Sequence, residues 1–227
     1  MANSYQTTAE SFMKDVANHK LTVVRDEGLY RHLRFSKPDT MCMHFDLITW
    51  PGYLCYTGDM GTYVFTRLKD MFVFFRDGHD KDGNIFRYID KRYWAEKVEA
   101  GDKCNGIRKF SEEKFNRAVM GDLIEWLRSH RQDTTKEDRR ELWDAVVRDV
   151  IGADGDSGGY RKQVAAHDFS HEVNIDVGTF WFKDFWEHNV DEFTTRFVWC
   201  CYALRWGVDQ YDQAKKAQEQ EVAHVQA

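Results

Sequence analysis

The chain of 227 residues carries 34 aromatic residues and only two prolines, Pro38 and Pro51, where average usage near 5% would give roughly eleven. Collagen-like arrays, proline-rich linkers and polyproline ligands are thereby excluded, and with 42% hydrophobic residues, enough to bury a sizeable core, disorder is a poor description of the chain. The formal net charge of −6 is uneven: residues 1–110 hold 17 Lys/Arg and 15 Asp/Glu, whereas residues 111–227 hold 15 and 23.

In chain order, a short amphipathic opening with Phe12, Met13 and Val16 at helical spacing gives way to two β-prone runs, Leu21–Arg25 and Leu29–Phe35. Asp26-Glu27-Gly28 between them has the chemistry of a tight hairpin turn. Three further runs, Met43–Trp50, Tyr53–Thr57 and Thr62–Thr66, are separated by Pro51-Gly52 and Gly58-Asp-Met-Gly61, which predicts an antiparallel meander. From Leu68 the period turns helical, with Met71, Phe72 and Phe75 on one face. Helices are predicted at Asp90–Glu99, Ser111–His130, Thr135–Ile151 and, as two helices, about Phe180–Trp206, followed by a frayed, solvated helical tail from Gln210.

Strands grouped first and helices afterward predict an α+β fold, an antiparallel sheet of four or five strands packed by C-terminal helices. The expected organisation is a single domain over residues 1–207, sheet-rich at about 20–66 and helix-rich at about 67–207, with a polar tail over 208–227.

The longest uncharged stretch, Leu47–Gly58, is a dozen residues and falls short of the ~18 to 20 that a bilayer span requires. The N-terminus lacks a basic segment followed by an apolar one, so a cytoplasmic protein without membrane partners is expected. The five cysteines are odd in number and include no C-x-x-C, which favours reduced thiols; the adjacent Cys200 and Cys201 read as small buried apolar residues.

His167 and His171 would share a helix face at i and i+4, with Glu172 beside them, which is ligand spacing for zinc. The Glu follows the second His, so H-E-x-x-H is not met, and a polar helix face is the preferred reading, with no metal or other cofactor expected. The loops 77–84 and 154–159 resemble calcium loops, but aligning Gly83 or Gly159 with the sixth position puts Ile89 or Ala165 where a bidentate acid is required. Tyr30–Phe35 interleaves basic and aromatic residues, yet strand alternation divides the cations between two faces, and direct nucleic-acid binding is not expected. His44 and Asp46, two apart on one strand face, form no recognisable triad, and no Walker A, G-x-S-x-G or G-x-G-x-x-G occurs.

The most informative region is residues 168–193. Seven acids (Asp168, Glu172, Asp176, Asp184, Glu187, Asp191, Glu192) stand against one base, Lys183, among seven Phe and Trp side chains. Ten aromatics between Phe180 and Trp206 exceed what the inward stripe of one helix pair readily hides. A partner-binding surface is expected here, with Trp181 and Trp186 as anchors and Asp184, Glu187, Asp191 and Glu192 as steering charges. The alternative is an amphipathic helix pair whose aromatics fill the core while the acids stay solvated, and the exposure of the aromatic surplus stays open.

The run Phe45-Asp-Leu-Ile-Thr-Trp-Pro-Gly-Tyr continuing to Gly58-Asp-Met-Gly61, preceded by Val24–Phe35, resembles a family of uncharacterised accessory proteins of tailed phages and prophages over roughly residues 10–130. The resemblance implies a chain acting in a bacterial cytoplasm, and such proteins often bind and block host machinery, including CRISPR and other nucleic-acid-binding defence complexes; an inhibitor of a host protein complex is the expected function. An enzyme acting on nucleotides or nucleic acid, centred on His167, His171 and Glu172 or on His44 and Asp46, and a morphogenesis protein are the alternatives. A homodimer stays open.

Overall fold

A computed structural model describes residues 7–76, 83–102, 106–154 and 159–225. In chain order the elements are α1 (Ala9–Asp15), β1 (Lys20–Glu27), β2 (Tyr30–Ser36), β3 (Phe45–Trp50), β4 (Tyr53–Gly58), β5 (Gly61–Thr66), α2 (Met71–Arg76), α3 (Lys91–Ala95), β6 (Val98–Ala100), β7 (Arg108–Phe110), α4 (Glu112–Ser129) and α5 (Lys136–Val146). A π-helical turn, Val147–Ile151, continues α5. Then follow α6 (Tyr160–Asp168), β8 (Ser170–Asn174), β9 (Gly178–Trp181), a 3₁₀ turn at Phe185–Glu187, β10 (Asp191–Phe193) and α7 (Thr195–Val225). The fold is α+β, and no described helix is long and apolar enough to cross a membrane.

Where the sequence reads as one domain, the contacts divide into two compact units, residues 1–107 with 193–227 and residues 108–192. The second unit is an insertion, because the chain leaves the first unit after β6 and returns to it for α7.

The first unit is a six-stranded antiparallel meander in the order β1-β2-β3-β4-β5-β6. Its two central hairpins turn where only glycine is comfortable: Gly52 (φ 88°) after Pro51 and Gly61 (φ 100°) opening β5. Gly58 does another job, since a Cβ there would lie 2.2 Å from the His44 carbonyl oxygen. One face of the sheet alternates Leu33, Phe35, Phe45, Leu47, Leu54, Tyr56, Tyr63 and Phe65, all fully buried, and α7 lies against it. From Phe197 to Val208, α7 is apolar on nearly every side, as a helix surrounded by structure must be. Gly207 lets it come close, because a Cβ would meet Leu47 Cδ1 at 2.8 Å. Phe12 of α1 closes the other side, with its ring 5.0 Å from Trp199. The indole N–H of Trp199 is satisfied by Asp15 at 2.9 Å.

Three predicted elements differ. The helix expected over Asp90–Glu99 stops at Ala95, and Val98–Ala100 becomes the sixth strand, pairing Val98 with Phe65 and Ala100 with Val64. Phe180–Trp206 is not a helix pair: only Thr195 onward is helical, and the preceding part is β9, the 3₁₀ turn and β10. Left-handed backbone at Gly178 (φ 81°) and Asp184 (φ 52°) interrupts any helix, and Phe180 in, Trp181 out is strand alternation. The tail does not fray from Gln210, because α7 runs on to Val225, held by Tyr211 and Lys215 on Asp26 and by Asp212 on Arg76.

The second unit has its own core: Phe115, Val119 and Leu123 of α4, Leu142, Ala145 and Val146 of α5, Ala166 of α6, and Phe169, Phe180, Phe182, Phe185 and Val190 from the segments that follow. The capping box at Thr135–Asp138 starts α5. Buried Lys162 donates to Glu112 (2.6 Å) and to the Ile151 carbonyl (2.8 Å), covering an open carbonyl at the end of the π-helical turn.

Candidate protein-binding face

The two units divide the charge sharply. Residues 108–192 contain 13 Lys/Arg and 19 Asp/Glu, whereas the remainder contains 19 of each, so the whole net charge of −6 belongs to the inserted unit.

Within that unit the chain from α6 to the 3₁₀ turn builds one exposed face. α6 ends at Asp168, Phe169 turns extended into the core, and β8 pairs with β9 so that Ser170 faces Trp181, His171 faces Phe180 and Glu172 faces Thr179. Phe180 is buried, so alternation sends Trp181 outward, 59% exposed, on the same side as Ser170 and Glu172. Asn174 Oδ1 accepts from the amides of Asp176 and Val177 and, with Gly178, makes the tip, where Ile175 is 97% exposed. The 3₁₀ turn repeats the device: Phe185 packs its ring 5.5 Å from Phe115 while its neighbour Trp186 is 69% exposed. The Trp186 ring lies 6.2 Å from that of His167, whose Nδ1 donates to Asp168 at 2.7 Å. Trp181 and Trp186 thus flank the segment 167–172, and Asp168, Glu172 and Glu187 stand exposed around them.

Ten aromatics lie between Phe180 and Trp206; Trp181 and Trp186 are the two that are exposed. Water-exposed indoles beside exposed carboxylates are the composition of an interface anchor with a charged rim.

The six expected partner-binding residues do not form one cluster. Trp181, Trp186 and Glu187 share the exposed region, but Asp184 is half-buried in left-handed backbone and its carbonyl closes the 3₁₀ turn onto the Glu187 amide. Asp191 and Glu192 lie on β10, which pairs with β7 where the chain enters and leaves the unit; Glu192 is 3.0 Å from Lys109 and Lys114 donates to the Asp191 carbonyl. The Glu192 charge is compensated there, and the Lys114 ammonium sits on the Asp191 main chain. Sequence reasoning missed Ile175, whose signal was the Asn-Ile-Asp-Val-Gly turn between two strand-length runs. It also missed two outward residues one turn apart, Trp143 of α5 (37% exposed) and Val147 at the start of the π-helical turn (40% exposed).

The expected i, i+4 histidine pair does not exist. His167 is at the end of α6, whereas His171 is on β8 facing Phe180, and alternation puts Glu172 on the opposite side of the strand. Among the described residues no group of three His, Cys, Asp or Glu side chains could hold a metal ion. Residues 77–82 and 155–158 of the two calcium-like loops lie outside the described residues.

In the first unit, His44 and Asp46 are not paired either. His44 precedes β3 and its Nδ1 donates to the Met41 carbonyl (2.6 Å). Asp46 instead accepts from His32 (2.6 Å) and from Arg34 Nε and Nη2 (3.0 and 2.9 Å) across the β2–β3 ladder. Burial alone would raise the Asp46 pKa, but these hydrogen bonds and charges outweigh it and hold the carboxyl below its ordinary range. The division of Tyr30–Phe35 between two faces holds: Arg31 points inward, bidentate on Asp70 at 2.8 and 3.0 Å and over the Phe72 ring at 4.6 Å. Cys200 and Cys201 are fully buried, and that burial pushes both thiols well up from their ordinary pKa.

No family model, no curated protein and no solved structure matches this chain.

Proposed function

We propose that this chain is a binding protein whose inserted acidic unit docks on a basic surface of a protein partner, with Trp181 and Trp186 as anchors and Asp168, Glu172 and Glu187 as the charged rim. One observation carries the reading: the unit that holds the whole net charge of −6 also leaves two tryptophans largely in water beside those acids. Burying an indole at a partner contributes hydrophobic and cation–π energy, and the surrounding negative field raises the encounter rate with a basic surface. A partner that holds nucleic acid in a cationic groove has that surface. Together with the resemblance to phage accessory proteins, this supports a role as an inhibitor of a host nucleic-acid-handling complex that competes with the nucleic acid for its groove.

The test is affinity capture from bacterial lysate with the wild type beside a Trp181→Ala/Trp186→Ala variant. A partner bound by the wild type, released by added salt and by single-stranded nucleic acid, and lost by the variant supports the reading. A partner that the variant still retains moves the interface elsewhere.

A further inference from the structure

We propose that β1 is a self-pairing edge through which two copies of this chain join antiparallel, about a two-fold axis between Val23 and Val24. This proposal is independent of the reading of the inserted unit, since every residue it uses lies in the first unit.

β1 ends the sheet order, and among the described residues nothing pairs with its outer side. It is eight residues long, more than twice the length of the three-residue β6 at the other end. A long open edge is a template for another strand, and short edges are the usual safeguard. The exposed apolar residues of β1 sit at its middle, Val23 at 49% and Val24 at 54%. The ladder to β2 shifts between Val23 and Arg25, so Val24 is the extra residue. Arg25, Asp26 and Glu27 after it and Lys20 before it would repel or mismatch a generic apolar strand.

The two ends of β1, Lys20 and Glu27, are complementary to a second β1, and Asp26 then falls opposite Leu21. Antiparallel pairing about the Val23/Val24 midpoint sets Lys20 opposite Glu27 of the other copy twice, Thr22 opposite Arg25 twice, and the valines at the axis. The sides match as well. Lys20, Thr22, Arg25 and Glu27 face Ser36, Arg34, His32 and Tyr30 of β2, all on the sheet face away from the buried Leu33 and Phe35. Lys20 and Glu27 would therefore meet on one face. Among the described residues Glu27 pairs with Arg25, at 2.6 Å with both side chains more than half exposed, a pair weak enough to exchange. Asp26, by contrast, is committed to Tyr211 and Lys215 and stays so.

Sedimentation velocity on the full chain, reaching ~0.3 mM because one strand pair makes a modest interface, decides the matter. The wild type should shift with concentration from 26.9 kDa toward twice that mass. Lys20→Glu and Glu27→Lys should each weaken association on the order of tenfold, because each places two like-charge pairs across the strands. An equimolar mixture of the two variants should recover wild-type association, since every cross-strand pair is then opposite in sign. Val24→Lys, which sets two ammonium groups beside the axis, should be monomeric. All three positions are exposed, and unchanged far-ultraviolet circular dichroism verifies that the variants fold. A wild type that stays monomeric throughout overturns the proposal, including one that pairs instead with an extended peptide of another protein. A dimer indifferent to Val24→Lys, or a variant mixture no stronger than its components, overturns it equally.

Discussion

Replacing Asp46 by Asn should destabilise the first unit by about 2 kcal/mol at neutral pH, and the loss should vanish in acid. The Asp46 side chain is 9% exposed and accepts three hydrogen bonds, two from Arg34 and one from His32. Hydrogen bonds to charged groups are each worth about 1.5–3 kcal/mol. The full sum does not apply, because the Arg34 side chain is 51% exposed and that of His32 28%, so both regain water when the carboxylate is removed. The pH dependence follows from the pKa direction. The folded carboxyl titrates below its unfolded value near ~3.9, so its contribution is complete above ~pH 5 and fades as pH falls through the folded pKa. Urea unfolding followed by circular dichroism, for wild type and variant at pH 7 and again near pH 2.5, measures both. Identical midpoints at pH 7 would refute the assigned role of the cluster, and a difference that persists undiminished in acid would refute its electrostatic origin.

Phe185→Ala should destabilise the inserted unit by about 3–5 kcal/mol, whereas Trp186→Ala next to it should stay within about 0.5 kcal/mol, both read from thermal unfolding. Gly159→Ala should cost ~2 kcal/mol or more by the same assay, since the residue has φ 68° and a Cβ would lie 2.2 Å from the Phe110 ring. In the native protein a thiol reagent should modify the exposed Cys42 and leave Cys200 and Cys201 untouched until denaturant is added.

The meander was legible because its signals are local. Gly28, Gly52 and Gly61 mark turns that need positive φ, and between them β-branched and aromatic residues alternate. The helical core of α7 was legible as an apolar run but not in its starting point. Phe180, Trp181, Phe182, Phe185 and Trp186 match a helical stripe as well as a strand and a tight turn, and the decision lay in the backbone of Gly178 and Asp184. The sixth strand is three residues long and stabilised by pairing with β5, a contact between residues more than thirty apart that no short window contains. Of the candidate site, the excess of aromatics over what a helix pair hides raised the question of exposure, and the strand and turn geometry answers it by turning Trp181 and Trp186 outward. The placement of Asp191 and Glu192 away from that face was not legible, because it depends on β10 meeting β7 across some eighty residues, where Lys109 pairs with Glu192. Asp46 was singled out with the wrong histidine for the same reason: His44 is near in sequence, but the ladder register brings His32 and Arg34.

The role of the inserted unit is tested most directly by titrating the captured partner, purified, with wild type, with Trp181→Ala/Trp186→Ala and with Glu187→Lys, following displacement of the partner's bound nucleic acid. The wild type should displace it with an affinity that falls steeply with salt, Glu187→Lys should flatten that salt dependence, and the double tryptophan variant should lose displacement while keeping its fold. Equal displacement by all three proteins would contradict the acidic, tryptophan-bearing face as the binding site.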